Sequence, residues 1–393
     1  MRLRRLVLAL LCSLPAALPA EILLEAPADG ETITTTAPAL RAFLDLSGPE
    51  RRACFNDPAR RRALHAVRDA QPCRFAWTCT AGETGTFRVV VSEQPDFSTP
   101  SPALALPTRA DRPHEARLAN FLIGRTYFWK VVCTLPGGGE VTSRSGRFQT
   151  DPRPPRLLVI PQLGNVRDLG GRPGLGGRMI RQGMIFRSSG LNQNSPDRDP
   201  ERKDADKRDP KSFRIGATKL TPDGAAYLTR VLGCRTDLDL RGPTEVGSMT
   251  ASPAGPGVRW INHASSAYGD IFGPDGSCTG AGPEAMRDNF RVFCDRANYP
   301  IVVHCIGGAD RTGALAYVLN GVLGVDGDEL ARDWEITAHD YFTYEKMFDD
   351  LARGFDRFGA PGEPLSRKIE AYLRRIGVTP EEIAGFRAIM LEG

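Results

Sequence analysis

The sequence predicts two ordered units in series: an all-β sandwich, then an α/β domain with a central sheet flanked by helices. Three observations carry this expectation. Residues 21–150 hold stretches such as TGTFRVVVSEQPDF and RTYFWKVVCT, in which aromatic and β-branched residues alternate with polar ones between Gly and Pro turns. A proline-rich run, DPRPPR at 151–156, then breaks the pattern and reads as a linker and domain boundary. Over 157–393 short apolar strands alternate with segments of helical spacing, as an α/β sheet requires.

Composition narrows the class further. At 393 residues, 41% hydrophobic and 25% charged, the chain is long enough for two or three globular domains. A net charge of +4 is small for that length and argues against a nucleic-acid or membrane-surface partner. Residues 1–20 read as an export signal: Arg2, Arg4 and Arg5, an apolar run from Leu6 to Leu14, then small residues up to Ala20. That run is too short to span a bilayer, and no later segment could, so a soluble exported protein, periplasmic or secreted, is expected with no integral membrane segment after signal removal.

Along residues 21–150 one stretch departs from the strand pattern. DPARRRALHAVRDA has helical character, with Asp57 as N-cap and Pro58 at the first helical position, so a helical insertion is expected between Leu40 and Gln71. Cys54 and Cys73 flank it and could clip it. Cys79 and Cys133 fall on strands expected to face one another across the sandwich, where a bridge would suit an oxidising compartment. Sequence leaves that connectivity open.

Beyond the linker, RMIRQGMIFRSS reads as a hairpin or paired strands. TPDGAAYLTRVLG reads as a helix capped by Thr221, and CRTDLDL and YPIVVHC as short buried strands. Leu315, Val318, Leu319, Val322 and Leu323 recur at helical spacing before Gly324, and two amphipathic helices close the chain around GVTPEE. The run from Asn192 to Lys211 holds six acidic and six basic residues from Asp197 to Lys211 and reads as a solvated insertion, or as a lid on a nearby site. GGRPGLGGR has the wrong glycine spacing for a dinucleotide loop and reads as turns. No CxxC or HExxH pattern appears, so no metal and no cofactor is expected.

The stretch with chemistry in it is HCIGGADRTG, residues 304–313. A strand ending in His304-Cys305, a tight bend, Arg311 and then a helix is a device for holding a phosphoryl group. Amides of Ile306, Gly307, Gly308, Ala309, Asp310 and Arg311 can form a nest, and the helix adds its positive end. Gly307 and Gly308 permit the backbone angles such a nest needs. The Arg311 guanidinium matches two phosphate oxygens, and the same field favours a Cys305 thiolate.

The loop resembles the signature of cysteine-dependent protein tyrosine phosphatases, His-Cys-x5-Arg-Ser/Thr-Gly. GNVRDLGG (164–171), GMIFRSSGL (183–191) and DLRGPTE (239–245) follow the order of the bacterial tyrosine/lipid-type branch, over about 156–393. The resemblance implies a cysteine phosphatase-like fold and hydrolysis of phosphate monoesters through a phosphocysteine. It makes Cys305 the nucleophile, Arg311 the phosphate clamp, Thr312 a hydroxyl for the leaving sulfur, Asp310 the general acid and His304 the orienter of the loop. Asp239, Arg241 and Glu245 would brace the loop or form a plain ion pair, and Asn165, Arg167 and Asp168 a structural network. Asp270 and Asp275 are weaker alternatives for the acid, and His263 and His339 read as structural. The N-terminal strands resemble a fibronectin type III domain through Trp77, the YFWKVV strand and the final RFQT strand, which implies contact with a protein or carbohydrate.

Relatives of this branch that act on phosphoinositides carry lysine where this chain has Ala309, so phosphotyrosine in protein is the expected substrate. Two rivals stand beside it: the same chemistry on small phosphate monoesters such as inositol phosphates, and a non-catalytic phosphate-binding or adhesion protein. A reactive thiolate in an oxidising compartment also needs protection, which Cys234, Cys278 or Cys294 could give by pairing with Cys305.

Overall fold

Alternating strands of the first half fold as their pattern directs. The structure, a computed structural model, describes residues 21–55, 57–65, 70–80, 85–101, 104–106, 114–192, 220–247, 249–338 and 344–393. Residues 1–20, expected to be an export signal, most of the charged 192–211 run and His339 lie outside the described residues. The first unit runs β1 (Ile22–Ala26), β2 (Glu31–Ile33), α1 (Pro38–Leu44), α2 (Gly48–Phe55), α3 (Pro58–His65), β3 (Cys73–Cys79), β4 (Thr86–Ser92), β5 (Leu104–Leu106), β6 (Glu115–Ala119), β7 (Thr126–Thr134), β8 (Glu140–Thr142) and β9 (Gly146–Thr150). One sheet has the order β1-β3-β6-β5; the other has β2-β9-β7-β4, with β8 also on β7. Phe75 of β3 meets Trp129 of β7 edge-on at 5.1 Å and Phe148 of β9 at 5.5 Å, so aromatic rings from both sheets fill the space between.

The helical insertion forms α1 to α3, and Asp57 caps α3 by accepting from the amides of Ala59 (2.8 Å) and Arg60 (3.2 Å). Cys79 and Cys133 belong to the same sandwich core, on β3 and β7 of opposite sheets, as free thiols. The Cys54–Cys73 clip is not made: Cys54 is buried in the core of the following α/β unit, whereas Cys73 is buried in the sandwich. The helices turn their apolar side away from the sandwich, and that carries Cys54 with them.

The second unit adds β10 (Arg156–Leu157), β11 (Arg167–Asp168), β12 (Ile185–Ser188), α4 (Pro222–Ala226), β13 (Thr236–Asp239), α5 (Pro243–Val246), β14 (Arg259–Asn262), α6 (Ala281–Val292), β15 (Ile301–His304), α7 (Asp310–Val322), α8 (Gly327–Ala338), α9 (Tyr344–Gly354), α10 (Leu365–Arg375) and α11 (Pro380–Met390). Its sheet has the order β10-β11-β12-β15-β13-β14; the last four strands are parallel and the first two antiparallel. Parallel strands covered on both faces need apolar residues throughout, and IVVH of β15 is buried at every position. α7 is buried all round from Thr312 to Val322, which explains its unbroken small and aliphatic sequence. Ligands of such sheets sit beyond the carboxyl ends of the strands, where β13 and β15 both deliver their chains.

Two local readings change. RMIRQGMIFRSS is not a hairpin: only Ile185–Ser188 forms a strand, while Met179 and Ile180 bridge to Pro173 and Leu391. The end of the C-terminal helix takes the partner that the second half of the segment would have supplied. The helix capped by Thr221 does form, with its Oγ1 accepting from Gly224 N at 3.1 Å, but after Ala226 it widens into a π-type turn.

The two units share more than a crossing chain. Leu40, Phe43 and Leu44 of α1 sit in the same buried cluster as Leu315, Trp334 and Phe348. Arg156 donates to the carbonyls of Phe121 and Asn120, and Asn120 in turn bonds Val159 and the Tyr227 hydroxyl. Among the described residues no helix is long and apolar enough to cross a membrane.

Candidate functional site

The bend after β15 is shaped by where its carbonyls go. Cys305 O accepts from His304 Nδ1 (3.0 Å), Ile306 O from Gly190 N (2.8 Å), Gly307 O from Asn165 Nδ2 (3.0 Å) and Gly308 O from Arg187 Nη2 (2.6 Å). With four successive carbonyls drawn outward, the peptide planes turn their N–H groups inward. No described group accepts from the amides of residues 306–309. The result is a concave set of donors at the N-terminus of α7, the geometry of an anion nest. Of the two glycines expected to permit it, Gly308 carries the left-handed angle, φ +67°, and a Cβ there would lie 2.2 Å from Ser188 O.

A buried ionic frame supports the bend from behind. Asp333 of α8 accepts from Arg167 Nε (2.9 Å), Arg172 Nη2 (2.9 Å) and Arg187 Nη1 (2.6 Å), all with negligible exposure. Burial opposes the Asp333 charge, but the three guanidinium groups outweigh it and hold the carboxyl far below its ordinary range. Arg167 also donates to Asn165 Oδ1 (2.6 Å) and Thr337 Oγ1 (2.8 Å), so the frame reaches the loop through Asn165 as well as Arg187. The expected network of Asn165 and Arg167 is therefore present and touches the loop. Asp168 points elsewhere, to Arg156 (2.7 Å) and to the amides of Gly170 and Gly183.

Cys305 is 2% exposed, at the floor of the bend. Thr312 on the first turn of α7 is fully buried, and its hydroxyl has no protein partner among the described residues. His304 lies between two carboxylates of β13: its Nε2 is 2.9 Å from Asp237 Oδ1 and its Nδ1 3.8 Å from Asp239 Oδ1. The strand period of two puts both aspartates on the face that His304 shares. Both ring nitrogens face acceptors, so both carry protons. Burial pushes the imidazolium toward neutrality, but Asp237 and then Asp239 outweigh it and raise its pKa to about 9.

Asp239 and Arg241 form a buried bidentate pair (2.8 and 2.7 Å), and burial of Asp239 is more than offset by Arg241 and His304, which lower its pKa. Glu245 holds Arg311 with two bonds, 2.5 and 2.8 Å, and its other anchor is the Gly242 amide at the start of α5. Arg311 resists burial through Glu245, Cys305 and Asp310, which together keep it charged above its usual range. Of this group Glu245 bonds Arg311 and Asp239 faces His304, while Arg241 bonds Asp239, Asn192 O and Met249 Sδ rather than the loop. Ala309 is 4% exposed.

Asp310 receives the hydroxyl of Tyr268, from the short helical turn Tyr268–Phe272. Asp270 and Asp275 have no described bond to the loop. His263 donates its amide to Asp239 O at 3.1 Å, while its Nδ1 is buried without a described partner. Cys234 lies in a separate core, Cys278 turns its thiol to Gly276 O and Cys294 to Phe290 O; no described bond joins any of them to Cys305.

Arg187, Asp333, Asp237 and Tyr268 are site residues that the sequence reading did not single out. Arg187 and Asp237 sat inside motifs already quoted, FRSS and TDLD, and their burial in a sheet was the available signal. Tyr268 opens YGDIFGPDGSC, the segment that carries Asp270 and Asp275, whereas Asp333 had no signal, because it acts from a segment distant in the chain. Among the described residues no group of three His, Cys, Asp or Glu could hold a metal.

The profile of the tyrosine phosphatase family matches residues 158–204 and 200–358, about half of the chain. A Cupriavidus necator protein named as a tyrosine-protein phosphatase is 30% identical over 186 residues, 45% of this chain; the chain spans 61% of that relative's length. The core catalytic domain of the PP-IP phosphatase SIW14 from S. cerevisiae, solved with citrate, matches at 13% identity and a TM-score of 0.23 over 44% of this chain and 91% of that one. The residues matched by the profile include the whole loop, Asp333 and every side chain that braces it, and the chain belongs to the tyrosine phosphatase family.

Proposed function

We propose that the chain hydrolyses phosphate monoesters, with protein phosphotyrosine as substrate, through a phosphocysteine at Cys305. The observation that carries this reading is the bend itself: four outward carbonyls, inward amides and a cysteine at its floor. Arg311, set by Glu245, would grip two phosphoryl oxygens while the amides take the others. Cys305 would attack phosphorus in line, Asp310 would protonate the leaving oxygen, and Thr312 would donate to the sulfur when water displaces it. Ala309 offers no charge, which favours singly phosphorylated side chains over polyphosphorylated headgroups. The same reading takes the protein as exported, periplasmic or secreted, and its first unit as fibronectin type III-like.

The test is hydrolysis of 4-nitrophenyl phosphate with EDTA and thiol present, comparing wild type with Cys305→Ser. Activity in wild type, abolished by the substitution, supports the reading; an inactive reduced wild type overturns it. Phosphotyrosine peptides, phosphoserine peptides, phosphoinositides and phytate at equal concentration then rank the substrates, and a preference for phytate or phosphoinositides would displace phosphotyrosine.

A further inference from the structure

We propose that Tyr268 is a positioning residue for proton transfer: it fixes which oxygen of Asp310 faces the substrate and steadies that carboxylate between the two chemical steps. The proposal rests on Asp310 being the general acid. Its first support is contact, since the Tyr268 hydroxyl donates to Asp310 Oδ1. Its second is the backbone. Tyr268 has φ +50°, an angle that a bulky residue rarely adopts and that surrounding structure must enforce. The side chain is 9% exposed, and its ring stands edge-on to Trp334 at 6.4 Å. Trp334 in turn lies against the first turn of α7, its Cδ1 3.2 Å from where a Cβ on Gly313 would stand.

The segment carrying Tyr268 is tied across the site. His263 N donates to Asp239 O (3.1 Å) and Ser265 N to Leu240 O (3.2 Å), the same carbonyl that Arg311 Nη1 approaches at 3.4 Å. At its far end Asp270 O packs so closely on Gly282 that a Cβ there would lie 2.0 Å away. The segment therefore runs from beside the phosphate-gripping arginine to the acid, with Tyr268 as its contact to the acid.

The chemistry follows from occupancy. With a hydroxyl donated to Oδ1, the proton of the neutral carboxyl resides on Oδ2. In the first step the Cys305 sulfur bonds phosphorus, the ester P–O bond breaks, and the Oδ2 proton passes to the leaving oxygen. Asp310 is now a carboxylate, and the Tyr268 hydroxyl stabilises it. In the second step a water oxygen bonds phosphorus, the S–P bond breaks to restore the thiolate, and the water proton returns to Asp310. Tyr268 keeps its own proton throughout.

The experiment compares Tyr268→Phe, Asp310→Asn and the double variant across aryl phosphates of graded leaving-group pKa plus one alkyl phosphate. Tyr268→Phe keeps the ring, and its melting temperature reports whether it folds. kcat/KM for 4-nitrophenyl phosphate is expected within about 3-fold of wild type, and for the alkyl ester lower by about 10- to 30-fold, a share of the general-acid effect. In the Asp310→Asn background Tyr268→Phe should add nothing further. An equal fall for all esters, or full additivity in the double variant, overturns the proposal and leaves Tyr268 a packing residue. If Asp310→Asn does not steepen the leaving-group dependence, the acid assignment itself falls and the proposal falls with it. A variant that does not fold also overturns it, because Tyr268 would then be needed for structure.

Discussion

Arg51 of α2 and Glu335 of α8 are an ion pair, 2.5 Å from Nε to Oε2, with neither side chain more than 6% exposed. Arg51 also bonds Asp328 and the carbonyl of Leu46 (2.6 Å). Glu335 is two residues from Asp333, which is tied to the bend after β15 through Arg187 on Gly308 O and through Arg167 by way of Asn165 on Gly307 O. The N-terminal helices are thus fastened to the same helix that organises the site. Burial raises the Glu335 pKa despite Arg51, so this carboxylate depends on its partner for its charge.

Removing one member of such a pair leaves an uncompensated buried charge. Arg51→Met is predicted to cost about 3–5 kcal/mol of stability, while Arg51→Met with Glu335→Leu should recover most of it. Urea midpoints of the three proteins decide this. A single variant as stable as wild type would show that water or local rearrangement satisfies Glu335.

Gly308→Ala should abolish activity with little loss of fold. Its Cβ has no room before Ser188 O and its backbone angle is left-handed, so the bend must open and its amides disperse. A fall of at least about 100-fold in kcat/KM, with weakened vanadate inhibition, is the expected outcome.

Glu245→Gln keeps the shape but removes the charge that sets Arg311. The predicted result is a 10- to 100-fold loss in kcat/KM, in line with about 1.4 kcal/mol per decade, without a large change in melting temperature. Steady-state kinetics on 4-nitrophenyl phosphate measures it; unchanged kinetics would mean that the loop alone orients the arginine.

His304 makes stability pH-dependent on the alkaline side. Its pKa is raised from 6.5 to about 9 in the folded protein, so its ion pairs contribute fully below about 6.5 and are lost as pH rises through about 9. The melting temperature should decline over that window, and Asp237→Asn, less stable at neutral pH, should flatten the decline. Equal slopes in the two proteins would remove His304 as the cause.

How legible the site was depended on sequence distance. His304, Cys305, Asp310, Arg311 and Thr312 could be read because strand, bend and helix are contiguous, and local chain geometry alone brings them together. Asp239, Arg241 and Glu245 were visible as a motif, but their task was not, since a surface pair and a buried brace look alike in letters. Glu245 became a clamp only when β13 paired beside β15 and aimed α5 at Arg311.

The sandwich strands were equally plain from alternation, whereas the side of the inserted helices was not. Nothing in DPARRRALHAVRDA says that Cys54 belongs to one core and Cys73 to another.

The sequence by itself determined the strand–bend–helix unit, the alternation of the first half and the α/β order of the second, because each rests on periodicity and turn chemistry within a few residues. Only the tertiary structure decided that Asp333 gathers three arginines beneath the loop, that Tyr268 meets Asp310 and that Arg51 secures α8. Those contacts join residues 42 to 284 positions apart, and their partners are selected by burial: a charge removed from water must find its counterpart wherever the packed chain brings one.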